Sequence, residues 1–187
     1  MNKKKNNKGF SLIELIIAIA ILIILTGLLA PQFMKYIEKS REAKDVQAMD
    51  TVYSSVQAAL ANEGAYDAMI TNTADVTVEG VTKAGIYHNS IEDIIKNDNT
   101  SFGLEVKSLL GSSDIKLRSK KASVNGQICV AVQYKEGSEN TGTEADPKWV
   151  DTFGGFEVMV YCGTENGVLI DGLQYIGADL TAELPTS

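Results

Sequence analysis

The sequence has one histidine and two cysteines, and no close Cys/His cluster, so a structural zinc site has too few ligands to form. It also lacks a nucleophile elbow, a Walker loop, an H-E-x-x-H helix and a dinucleotide fingerprint. No catalytic residue, metal site or cofactor is therefore expected. Positive charge is scarce as well: 17 Lys+Arg against 24 Asp+Glu leave a net charge of -7. That argues against nucleic acid as a partner, since such binding needs a basic surface. Disorder along the whole chain is excluded by an apolar content of 44%, which is ordinary for a globular protein. A length of 187 residues suits one domain with an appendage.

The little basic charge present is concentrated. Met1 to Gly9 hold four lysines, Lys3, Lys4, Lys5 and Lys8, and no acid. Without those four the net charge falls from -7 to -11. A nearly unbroken apolar run follows, from Phe10 to Ala30, with Glu14 as its single charge. As a helix it extends about 32 Å, enough to cross a hydrocarbon core of about 30 Å. Lysines ahead of the span favour a cytoplasmic N-terminus, which places the acidic bulk outside. A cleaved secretory signal would have a shorter apolar core and an A-x-A-like exit. A plain transmembrane anchor leaves the carboxylate unexplained. A charge in the bilayer costs about 2.5–3.5 kcal/mol on insertion scales. Glu14 therefore needs a partner, and its own apolar segment is expected to offer none.

The segment Lys8-Gly9-Phe10-Ser11-Leu12-Ile13-Glu14-Leu15 resembles the prepilin signature of type IV pilins and pseudopilins. The resemblance implies cleavage by a prepilin peptidase between Gly9 and Phe10, N-methylation of Phe10, and retention of the apolar helix. It also implies that Glu14 of one subunit pairs with the Phe10 α-amino group of a neighbour in a homo-oligomeric helical filament. Such a pair sets register where uniform Leu/Ile packing does not, and an unpaired buried charge is costly. The implied life history is a single-pass cytoplasmic-membrane precursor, handled by pilus assembly machinery and then displayed as an extracellular pilus. Roles in adhesion, motility or aggregation would follow. A pseudopilin of a type II secretion or DNA-uptake apparatus is the nearest alternative. A minor or tip pilin, and more distantly a membrane-anchored enzyme or sensor domain, are others.

The expected organisation is a leader at 1–9, an apolar assembly helix at 10–30, an amphipathic helix at 31–63 and a globular head at 64–187. Gly27 and Pro31 mark a kink or loosened segment, because proline removes a backbone donor and crowds the preceding turn. Beyond it, Phe33, Ile37, Val46, Met49, Val52, Tyr53, Val56, Ala59 and Leu60 recur at helical spacing. Arg41 and Asp45 are placed for a surface i,i+4 pair. The helix is expected to run to about Asn62 and stop at Gly64. Short elements are open at Tyr66–Ile70, Val76–Val78 and Ile115–Leu117, and Ser90 reads as the N-cap of a short helix to Lys96. Strands are expected at Gln127–Tyr134 and Phe156–Cys162, with Val168–Ile170 returning as a third after the Asn166-Gly167 turn. The fold class is α+β: a long N-terminal helix, transmembrane in its first half, packed on a single antiparallel sheet, as in the pilin head.

The resemblance also invites a disulfide between Cys129 and Cys162. If Ile128, Val130, Val132 and Tyr134 share a sheet face with Cys162, Val160, Val158 and Phe156, Cys129 points away and no bond can form. A one-residue register change or a bulge would remove that objection. Free buried thiols are the alternative. His88 reads as an exposed loop residue. Glu92, Asp93, Asp98 and Glu105 match no EF-hand spacing and read as solvated charge. Trp149, Tyr134, Phe153 and Phe156 read as sheet and loop packing, with a glycan platform as the rarer option.

Overall fold

The computed structural model describes residues 10–73, 76–78, 81–83, 85–96, 100–111, 115–124, 126–141 and 148–185. The chain divides into two units, Met1–Ser40 and Arg41–Ser187.

Helix α1 spans Leu12–Leu60. From Leu15 to Ala30 it is apolar on every side, and each large apolar side chain from Leu12 to Phe33 is exposed. An 18-residue window of it has a mean hydropathy of 3.0 and is 0% buried, so it is long and apolar enough to cross a membrane. A helix hydrophobic all round needs either lipid or other chains as its solvent. Its one hydroxyl in the Leu-rich turns is satisfied internally, since Thr26 Oγ1 donates to the Leu22 carbonyl at 2.7 Å. Pro31 lies inside α1. The N–H it lacks is the one that would have served the Gly27 carbonyl four positions back.

The second unit is an α+β head. Met49, Val52, Val56, Ala59 and Leu60 recur every three or four residues on α1 and are buried. The helix ends at Leu60 and helix α2 spans Glu63–Asn72. Asn62 ends the first and starts the second: its Oδ1 accepts from the Gly64 amide at 3.0 Å and the Ala65 amide at 3.4 Å. Gly64 is therefore inside the first turn of a new helix, where a stop was expected. An Asn cap supplies the acceptor that orphan first-turn amides need, and this outweighs the weak helix propensity of one glycine.

A two-stranded antiparallel ribbon follows, β1 Val76–Val78 with β2 Val81–Lys83. Then come β3 Ile86–Ser90, α3 Ile91–Lys96, α4 Ser101–Leu110, α5 Lys120–Ser123, β4 Gln127–Asn140, β5 Trp149–Gly163 and β6 Tyr175–Gly177, with a 3₁₀ turn at Thr181–Glu183. Ser90 caps α3 as expected: its Oγ accepts from the Asp93 amide at 3.1 Å and donates to Asp93 Oδ2 at 2.7 Å. Helix α4 was not anticipated. Thr100 caps it by accepting from the Gly103 amide at 3.0 Å, and Gly111 closes it at φ 62°.

The main sheet is antiparallel in the order β3-β4-β5-β6. In β4 and β5, Ile128 faces Cys162, Val130 faces Val160, Val132 faces Val158 and Tyr134 faces Phe156, with a register shift between Lys135 and Gly137. Residues 168–170 do not form the third strand expected there. Gly163 and Leu169 make only an isolated bridge, and the edges are β3 and β6. The reason is local. Gly167 at φ 77° turns the chain back, with Thr164 N–H donating to the Val168 carbonyl at 2.8 Å. A second turn follows at once, where Gly172 has φ 71° and Leu173 N–H donates to the Ile170 carbonyl at 3.3 Å. The run adds one more bond, from the Ile170 N–H to the Cys162 carbonyl at 3.0 Å, and bends away before a ladder can form.

Both sheet faces are buried. Ile128, Val130, Val132, Val158, Val160 and Cys162 join the core built from α1, α2, α3 and α4. On the reverse face Cys129, Ala131, Met159 and Tyr161 are covered by Leu180 and Leu184, with Ile86, Leu169 and Ala178 beside them. Two-sided burial explains why β4 and β5 read as continuous apolar runs without polar alternation.

Candidate assembly site

Glu14 is the one charged side chain in the apolar run, and α1 places it in its own first turn. Since α1 begins at Leu12, Ser11 is the N-cap and Glu14 the third helical residue. Ser-x-x-Glu is the spacing of a capping box, in which the third residue reaches back to the cap amide. The Ser11 N–H donates to Glu14 Oε2 at 3.0 Å. The expectation that Glu14 finds no partner in its own chain is thus corrected. The first turn of any helix leaves amides unpaired, and its positive end favours a carboxylate. Phe10, next to this turn, is 88% exposed. The cleavage position expected at Gly9 lies outside the described residues. Gly27 and Pro31 both sit within α1, which continues through them to Leu60.

Asp45 has a different role from the one its spacing suggested. An exposed pair with Arg41 was expected, yet Asp45 is 3% exposed. Its Oδ1 accepts from the Arg118 amide at 2.6 Å and its Oδ2 from the Ser119 amide at 2.8 Å. Ser119 Oγ in turn accepts from the Ala122 amide at 3.4 Å, starting α5. A charged acceptor shared by two backbone donors makes short, strong bonds and ties the 115–123 segment to α1. No local signal could have found this link, because its two ends are 73 and 74 positions apart.

The disulfide invited by the resemblance is not formed. Cys129 and Cys162 are both free and buried. Cys129 pairs in register with Tyr161 and Cys162 with Ile128, so the two thiols point to opposite faces of the sheet. That geometry forbids an S–S bond without rebuilding the sheet. Cys162 Sγ contacts Met49 Sδ at 3.7 Å. Burial pushes the Cys129 thiol up to about 11. Burial, then the nearby Asp45 carboxylate, push Cys162 up to about 12. Both stay protonated at neutral pH, which makes them poor nucleophiles and poor metal ligands.

His88 is in strand β3, half-buried and opposite Ala131, which corrects its reading as an exposed loop residue. A Cβ on Gly167 would come within 3.0 Å of its Nδ1, so the turn after β5 closes over it. Among the described residues no group of three or more His, Cys, Asp or Glu is placed to hold a metal. Glu92 pairs with Lys96 at 3.2 Å and Asp93 is engaged by Ser90, while Glu105 lies on α4 and Asp98 is outside the described residues. Tyr134 and Phe156 meet edge to face at 5.4 Å, and Tyr66 packs on Phe156 at 4.8 Å. The side chains of Trp149 and Phe153 are outside the described residues.

Residues 4–30 match the family model for the prokaryotic N-terminal methylation motif. No solved structure matches the chain. The matched stretch contains Phe10, the Ser11–Glu14 capping box and the whole apolar run. It implies processing by a prepilin peptidase and pilus assembly, and points to a structural protein. Together with the exposed apolar part of α1 it fits a membrane-anchored precursor. The chain thus carries the type IV prepilin signature on a long apolar helix, followed by an α+β head of pilin-like architecture.

Proposed function

We propose that this chain is the structural subunit of a type IV pilus filament. The observation that carries the reading is the single carboxylate, Glu14, in the first turn of a helix whose large apolar side chains from Leu12 to Phe33 are all exposed. A peptidase cuts between Gly9 and Phe10, and Phe10 becomes an N-methylated terminus with a cationic amine. In the precursor, Glu14 is occupied by the Ser11 amide. Cleavage creates a charged donor that a capping carboxylate prefers to a neutral amide. The Phe10 amine of a neighbouring subunit then takes Glu14, while the apolar helices bundle away from water and lipid. Gly27 and Pro31 give that bundle one place where the backbone ladder has a gap. Successive subunits add through unlike patches, which yields an open helix. The finished fibre lies outside the cell, where it supports adhesion, motility or aggregation.

The test is terminal sequencing and mass spectrometry of material sheared from cells, with electron microscopy of the same cells. A sole N-terminus at methylated Phe10, in fibres absent from cells lacking this chain, is the expected result. Loss of a secretion or DNA-uptake phenotype without fibres would make it a pseudopilin. An N-terminus at Met1 would end both readings.

A further inference from the structure

The head is strongly acidic as a whole, yet its few cations are clustered. Residues 41–187 hold 11 Lys+Arg and 22 Asp+Glu. Six of those cations fall in two short segments, Arg41 and Lys44 in one, Lys116, Arg118, Lys120 and Lys121 in the other. The bonds from Asp45 to the Arg118 and Ser119 amides bring the second segment against α1 beside the first. Between them lies a groove of about 350 Å³, lined chiefly by Lys44, Gln47 and Thr51 of α1 and by Ile115, Lys116 and Arg118. Its three cationic residues are exposed, and among the described residues no carboxylate lines it. Asp45, the acid adjacent in sequence, is buried and turned onto backbone amides.

The C-terminal stretch is acidic, and one cation of the second segment reaches it, with Lys121 Nζ donating to the Asp171 carbonyl. Residues 149–187 contain six acids and no Lys or Arg. Four of these acids, Glu165, Asp171, Asp179 and Glu183, are exposed. Glu165 sits in the turn after β5, and Glu183 in the 3₁₀ turn that follows β6. One molecule therefore presents a cationic groove and exposed acidic turns. A polymer made by repeating one docking step needs two unlike surfaces that match each other. Charge complementarity of this kind selects register and suppresses wrong contacts.

We infer that the Lys44–Lys116–Arg118 groove receives the acidic turns bearing Glu165 and Glu183 of a second copy of this chain. This rests on the filament reading and adds to it a head-to-head contact, separate from the one at Glu14. Because the groups are solvent-exposed, the contact weakens with salt.

The experiment uses the full-length chain in cells that express no other copy. A Lys44→Glu, Arg118→Glu double variant reverses the groove. Arg118 ties to Asp45 through its backbone N–H, which glutamate retains, so the head keeps its thermal melt. Filament yield should fall by about tenfold or more, and adding Glu165→Lys with Glu183→Lys should restore it. A yield equal to the parent's, or a loss that the compensating reversal leaves unrelieved, overturns the groove assignment. Absence of fibres from the unaltered chain would instead overturn the filament reading, so the two failures are told apart.

Discussion

The Asp45 carboxylate accepts a hydrogen bond from the Ser119 backbone amide at 2.8 Å, across 74 positions of sequence. It takes the Arg118 amide as well, at 2.6 Å. Asp45→Ala removes both acceptors and strands two amides, one of them buried. The expected loss is about 3 kcal/mol, read by chemical denaturation of the detergent-solubilised chain. Asp45→Asn, whose one amide oxygen still accepts, should fall between. An Ala variant as stable as the parent would show that the bond does not hold the segment.

Capping and charge can be separated at Glu14. Glutamine can still reach the Ser11 amide, as capping boxes allow, but it carries no charge. Glu14→Gln should therefore leave the helix start intact and abolish assembly, whereas Glu14→Ala loses both. The capping difference is about 1 kcal/mol, seen as faster amide exchange at Ser11 in the Ala variant. Normal filaments from Glu14→Gln would show that hydrogen bonding suffices and the ion pair is dispensable.

The two thiols predict a pH dependence. Cys129 and Cys162 sit above their ordinary value of 9.0 when folded, chiefly through burial. A folded pKa above the unfolded one means that the folded state binds more protons in the window between them. Stability from these neutral thiols is whole below pH 9.0 and is lost as pH rises toward about 11 and about 12. The midpoint of unfolding should fall through that alkaline range, and less so in a Cys129→Ala, Cys162→Ala variant. Below it, an alkylating reagent should label neither thiol in the native chain and both in denaturant, with or without prior reduction.

Gly177 should be irreplaceable. Its φ is 99°, and a Cβ there would run into the Val158 carbonyl and lie 2.6 Å from the Tyr53 ring. Gly177→Ala must either shift β6 off the edge of the sheet or strain it, costing about 2 kcal/mol or more. Gly27→Ala is the contrast. Nothing lies within 4 Å of the added methyl, so the head should melt as the parent does.

Much of the architecture is legible locally. The lysine-rich start, the Phe10–Ala30 run and the Gly-Phe-Ser-Leu-Ile-Glu string are contiguous, and their physics acts over one or two helical turns. The buried stripe Met49, Val52, Val56 and Ala59 repeats at 3.6-residue spacing, and Ser90 caps its helix from three positions away. These follow from residues that touch near neighbours. The capping contact at Ser11 and Glu14 is equally local, its signal being the Ser-x-x-Glu spacing that serves first-turn amides in any helix.

Amino-acid order alone therefore determined the membrane-length helix, the prepilin signature, the α+β class and the two central strands. Only the tertiary structure decided that β3 and β6 form the edges, that Leu180 and Leu184 cover the reverse sheet face, and that Asp45 reaches Arg118 and Ser119. It also decided that Cys129 and Cys162 point apart. Periodicity records which face of an element is apolar, whereas the partner covering that face is chosen by packing among distant segments, and short stretches carry no trace of that competition.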